Sequence, residues 1–174
     1  MGLVVFRLGP RGMFGLTEQV NAASTSSVIT SQKGDLLVSE LARCQQSMAA
    51  RYPERAGWLS AFGLDHLERL EAHNTTHVWA PYYTLHKIMA GLYDQHAVAD
   101  NAQALGVLVK LADFLSARIA ALVRAKGGPW WQECLNTEFG GMNEVAYNLY
   151  VVTGAPQVRR SHPRTHPAAR PSGR

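Results

Sequence analysis

Cysteine is scarce in this chain of 174 residues. Only Cys44 and Cys134 occur, ninety positions apart and with no further cysteine or histidine at metal-ligand spacing near either. They define neither a disulfide framework nor a zinc motif. Long apolar runs are also missing, since no stretch approaches the roughly 20 residues a membrane-spanning helix needs. The opening "MGLVVFRLGPRG" has four apolar residues before Arg7, no basic lead and no small-residue cleavage site. It reads poorly as a signal peptide, and Phe6 breaks the myristoylation pattern. G-x-S-x-G, G-x-G-x-x-G and G-x-x-x-x-G-K are absent, so serine-triad and phosphate-loop chemistry have no sequence support.

The formal charge of +4 suggests nucleic acid until its location is considered. Residues 159–174, "RRSHPRTHPAARPSGR", hold five arginines and no acid, which leaves twelve basic against thirteen acidic side chains elsewhere. The body is near neutral and offers no basic face, so neither a nucleic-acid nor a membrane partner is expected. A hydrophobic content of 47% is that of one ordinary globular domain.

Residues 1–34 are rich in Gly, Ser and Thr without sustained period, and read as irregular. From Asp35, a candidate N-cap, Leu37, Leu41, Cys44 and Met48 recur at helical spacing up to Pro53. "GWLSAF" reads as a loop with aromatic anchors, and "LDHLERLEA" as a short charged helix. Pro81 suits a first helical turn, with Leu85, Ile88, Met89, Leu92 and His96 on one face. A longer helix is predicted over about 102–125 with a stripe of Leu105, Leu108, Ala112, Leu115, Ile119 and Leu122, ended by "GGP". A last one is predicted over about 142–153, burying Met142, Val145, Ala146, Leu149 and Val152. No strand-like alternation competes, so the fold class is all-α. "HKIMAGLYD" and "NEVAYNLYV" superpose at an offset of 57, as a repeated helical hairpin would.

His86 lies at the flank of its apolar stripe near Tyr82, Met89 and Tyr93. Such an aromatic, partly wet edge suits a sugar, although a core-edge histidine bonded to a backbone carbonyl reads the same way. Glu138 and Glu144 flank "FGGMN", and paired carboxylates serve glycoside hydrolysis. Equally, Glu144 is a first-turn residue favoured by the helix dipole, and Asn143 is either a cap or a ligand contact. Gly140 and Gly141 fit a tight turn or a close backbone approach. Trp58, Trp79, Trp130 and Trp131 fall in loops or just before helices, as sugar platforms or as plugs.

The words "LLVSELARCQ", "GWLSAF", "VWAPYYTLHKIMAGLYDQ", "LADFL" and "LNTEFGGMNEVAYNLYVVTGAP", in this order over about 35–156, resemble glycoside hydrolase family 127, the β-L-arabinofuranosidase-like enzymes. The resemblance implies a toroid of paired helices and removal of a terminal arabinofuranose, or a related sugar, with retention. It further implies a zinc-held cysteine thiolate as nucleophile and a separate glutamate as acid/base. Metal binding would deprotonate such a thiol and fix its direction. By the same likeness His86, Asn143 and Glu144, with Tyr82 beside them, line the sugar pocket.

The family's zinc-binding Glu/Cys cluster lies beyond the "GGMNE" helix and has no counterpart here, so the nucleophile role is assigned to neither Cys44 nor Cys134. Zinc is expected in the complete family domain, and no cofactor is assigned to this chain. After "VVTGAP" the pattern predicts a helix, but prolines at 163, 167 and 171 would break it; residues 157–174 read as a disordered basic tail or as out-of-frame sequence. The expectation is a partial helical toroid, catalytically silent alone, that recognises an arabinofuranoside-type carbohydrate. A non-catalytic helical module binding carbohydrate or protein is the alternative. A partial ring leaves helix faces unsealed, so self-association through apolar stripes is expected. Sedimentation and thermal melts over a concentration series check this, and a sharp, concentration-independent transition from a monomer would contradict it.

Overall fold

The computed structural model describes residues 23–136, 138 and 140–154. Of residues 1–34, read as irregular, 23–34 are helical, while the first 22 and the basic tail from 157 onward lie outside the described residues. Among the described residues there are helices and no strands, so the all-α class holds. The helices are α1 (Ala23–Arg51), α2 (Asp65–Glu71), α3 (Pro81–Ala97), α4 (Ala102–Lys126), α5 (Gly128–Leu135) and α6 (Met142–Thr153), with a 3-10 turn at Pro53–Arg55.

Local chemistry accounts for most of the boundaries. Pro81 opens α3 where its missing N–H costs no hydrogen bond. Asn101 caps α4, its side-chain oxygen accepting from the Ala104 N–H at 3.0 Å. Arg124 and Lys126 complement the dipole at the other end, and Gly127, at φ 92°, stops the helix. Two boundaries differ from the sequence reading. Helix α1 begins at Ala23, well before Asp35, whose carboxylate instead accepts from the Asn101 side chain at 2.7 Å. After "GGP" ends α4, Pro129 serves in the first turn of α5, so Trp130 and Trp131 lie inside a helix instead of before one.

Helix α4 is central, packing on α3, α1 and α5, while α6 packs on α3. The predicted stripes face this core: Leu85, Met89 and Leu92 from α3, Leu108, Ala112, Leu115 and Ile119 from α4, and Val145, Ala146 and Leu149 from α6 are buried. Leu92 and Leu149, equivalent in the 57-residue offset, are both buried. Val152 lies outside the core, with Tyr147 and Val151 also exposed on α6. Buried Gln45 bridges α1 to the rest by donating to the Gly57 and Val107 carbonyls, at 2.8 and 3.1 Å. Gly57 has φ 91°, and a Cβ there would lie 2.3 Å from the Lys110 carbonyl oxygen, so no other residue fits without rearrangement.

One buried acid joins four helices. Glu71, at the end of α2, accepts two bonds from Arg118 of α4, both at 2.8 Å, and one from the Tyr82 hydroxyl of α3 at 2.7 Å. Its backbone carbonyl accepts the Trp130 indole N–H of α5 at 2.8 Å. Burial and the Glu71 charge together push the Tyr82 hydroxyl well above the ordinary tyrosine range, so it remains a donor. Breaking such a pair from one side strands the other charge, at a typical cost of about 3–5 kcal/mol. Arg118→Ala is therefore expected to destabilise by about that amount in urea unfolding, and Arg118→Met with Glu71→Leu to recover much of it. Equal losses in the single and double variants would contradict this.

Candidate functional site

His86 sits one turn into α3, where the helix meets the segment leading to α6. The Gly140–Gly141 backbone lies against its ring: a Cβ on Gly140 would stand 2.5 Å from His86 Cε1, and one on Gly141 3.4 Å from Cδ2. The diglycine is thus a close approach of main chain to imidazole, which a side chain at Gly140 would block. Tyr83 meets the same ring edge-on, with centroids 4.7 Å apart and planes at 77°. The imidazole is buried, and its Nδ1 is enclosed away from solvent, with the Tyr83 backbone as its nearest polar neighbour. Burial, reinforced by the neighbouring Lys87 charge, holds the ring below the ordinary histidine value, with the Tyr83 backbone opposing in part. A neutral imidazole keeps one ring N–H donor and one acceptor nitrogen, the pair that a hydroxyl group can match where the ring edge is reached.

Glu138 fixes this arrangement from the other side. Its Oε2 accepts the Tyr83 N–H at 2.9 Å, satisfying one of the donors that the first turn of α3 leaves open. Ala80, which precedes the helix, offers no side-chain cap. The carboxylate is thus a remote cap carried on the segment that also brings the diglycine to His86. Burial raises its pKa, and the Tyr83 and Tyr82 amides partly offset that rise. Sequence reasoning had paired Glu138 with Glu144, because contact across 55 residues leaves no local signal.

Beside Glu138 opens a pocket of about 540 Å³, bounded by Thr75, Val78, Trp79, Tyr83 and Asn136 among others. That volume lies in the range of small-molecule sites. Tyr83, Asn136 and Thr75 carry no motif, and only the four-residue spacing of Trp79 and Tyr83 could have suggested a shared face.

The remaining sequence candidates are spread out. Tyr82 is buried and its hydroxyl goes to Glu71. Asn143 and Glu144 are exposed in the first turn of α6. Glu144 approaches the diglycine, its Oε2 lying 4.0 Å from a Cβ placed on Gly141, and its charge adds to burial in raising the Asp94 pKa. Glu138 and Glu144 therefore have different surroundings. Cys134 is buried, its thiol donating to the Leu70 carbonyl at 3.7 Å and pushed up to about 11 by burial, and Cys44 is exposed on α1. Among the described residues no three His, Cys, Asp or Glu side chains converge as metal ligands.

Compared with known proteins, residues 19–161 match the family model described as beta-L-arabinofuranosidase, GH127 catalytic domain. Nothing among curated proteins or solved structures matches the chain. No helix among the described residues is long and apolar enough to cross a membrane.

The fit of glycine to imidazole has a measurable consequence. Gly140→Ala forces the ring or the segment to move and is expected to cost about 1–3 kcal/mol, the range for overpacking. Because the folded state holds the His86 pKa below its unfolded value of about 6.5, the folded protein binds fewer protons there. The His86 contribution is complete above that value and lost as pH falls through the folded one. Urea unfolding at several pH values between 7.5 and 5 is expected to show this slope in wild type and its loss in His86→Asn. An unchanged slope in the variant would contradict it.

Proposed function

The chain belongs to the GH127 family of β-L-arabinofuranosidase catalytic domains, and on that premise we propose that it is the sugar-recognising part of such a domain. Its ligand is a terminal arabinofuranose or closely related sugar, and its place is in carbohydrate breakdown. The observation that carries this reading is the Gly140–Gly141 backbone seated on the His86 ring. Two motif words that begin 55 positions apart, "YTLHK" and "EFGGMNE", meet there.

In the complete domain the reaction is cleavage of the glycosidic bond with retention, through a nucleophile and an acid/base that this chain does not supply. The residues present contribute binding. His86 offers a neutral ring nitrogen to a sugar hydroxyl, and Asn143 and Glu144 extend the polar edge from α6. Glu138 fixes the first turn of α3 and the diglycine segment relative to each other. Helix pairs such as α3–α4 belong to a toroidal arrangement, and the exposed Tyr147 and Val151 side chains of α6 are where a further helix would pack.

Titration of the full chain with methyl β-L-arabinofuranoside and with unrelated glycosides tests this reading. Weak, selective binding that His86→Ala abolishes is expected, with no hydrolysis by the chain alone. Equal binding of unrelated sugars, unaffected by His86→Ala, would replace it with a general carbohydrate-binding module. Hydrolysis by the purified chain would overturn the assignment of a binding part.

A further inference from the structure

We propose that the pocket between the 75–80 loop and the Asn136–Glu138 segment is a separate carbohydrate subsite, with the Trp79 indole as its platform and the Glu138 carboxylate as acceptor for a ring hydroxyl. The inference rests on the carbohydrate reading above, but neither on the identity of the sugar nor on His86.

Its first support is Trp79 itself. At 76% exposure the indole is almost wholly in water, while Trp58 and Trp131 are buried. Its exposure alone would be ordinary, but here the indole borders a pocket that also carries polar groups. Tyr83, also exposed, borders the same pocket. Indole and phenol faces match the C–H faces of a sugar ring, which are apolar although the ring's edge is polar.

The second support is the backbone that holds Trp79 out. His73, His77 and Ala80 all have positive φ, at 57°, 57° and 30°, in a stretch containing no glycine. Side chains other than glycine seldom adopt this region, and each such residue costs of order 1 kcal/mol or more. The loop is anchored nonetheless: His73 stacks on Trp130, with centroids 3.7 Å apart, and its Nε2 lies 3.2 Å from the Trp130 carbonyl oxygen. Tertiary contacts therefore enforce a conformation the local sequence would not choose.

The third support is the polar edge. Glu138 is 7% exposed and borders the pocket, with one oxygen committed to the Tyr83 N–H. The Asn136 amide and Thr75 hydroxyl border it too. A neutral polyhydroxylated ring satisfies this combination of acceptor, amide and hydroxyl. An anionic ligand would meet the carboxylate with no cation among the lining residues. The volume of about 540 Å³ has room for a sugar unit.

The test follows the indole and imidazole NMR signals of the full chain during titration with an arabinofuranosyl disaccharide, the methyl monoglycoside and an unrelated hexosyl disaccharide. Trp79→Phe assigns the Trp79 indole signal. The expected result is a saturable shift of Trp79 with a disaccharide, weakened about tenfold by Trp79→Ala, which at this exposure leaves the fold intact. Glu138→Gln, which keeps a carbonyl for the Tyr83 N–H, should weaken it severalfold. If a hexosyl disaccharide shifts Trp79 and arabinofuranosides do not, the subsite stands and the arabinofuranose assignment falls. If arabinofuranosides shift His86 alone, the subsite is overturned and the function above stands. If no saccharide shifts Trp79, the subsite is overturned.

Discussion

The Glu71 carboxylate is the interaction on which the arrangement depends. Placed at the end of α2, it takes Arg118 from α4 and the hydroxyl of Tyr82 from α3, and the carbonyl of the same residue takes Trp130 from α5. An unpaired charge at this depth would be costly, so the four helices are held in the one register that satisfies it. That register sets the start of α3, since Tyr82 is in its first turn, and hence where Tyr83 and His86 project. The site inherits its position from a buried ion pair that is not part of it.

On this base a second constraint is stacked. The first turn of α3 has an open amide, Glu138 closes it from 55 residues downstream, and the same segment delivers two glycines to the His86 ring. Capping and recognition are thereby linked in one piece of chain. Gly140 cannot acquire a side chain without displacing the imidazole. This linkage gives the word "EFGGMNE" a physical reading: an acid for the helix end, bare backbone for the ring, and then the polar first turn of α6.

The helices were legible because their signals are local. Pro81, Asn101 and the glycines near 127 mark their ends, and period-3.6 stripes mark their buried faces. The start of α1 was not legible, because Asp35 looks like a cap while its carboxylate pairs with Asn101, a contact across 66 residues. Helix α5 was missed because "GGP" stops one helix and starts another within three residues. His86 and the diglycine were visible as words, but not as partners. Glu138 as a cap and Trp79 with Tyr83 at a pocket depend on tertiary placement, which no pattern in the chain encodes.

Family membership supplies the class of reaction, and the proposed role in binding centres on a buried imidazole whose pKa burial lowers. The most direct measurement is the ¹⁵N chemical shift of the His86 ring at neutral pH, with and without saturating methyl β-L-arabinofuranoside. The account predicts a neutral ring whose nitrogen shift changes saturably as a sugar hydroxyl engages it. A His86 spectrum unchanged by the sugar, in a protein whose other signals show it folded, would contradict the account.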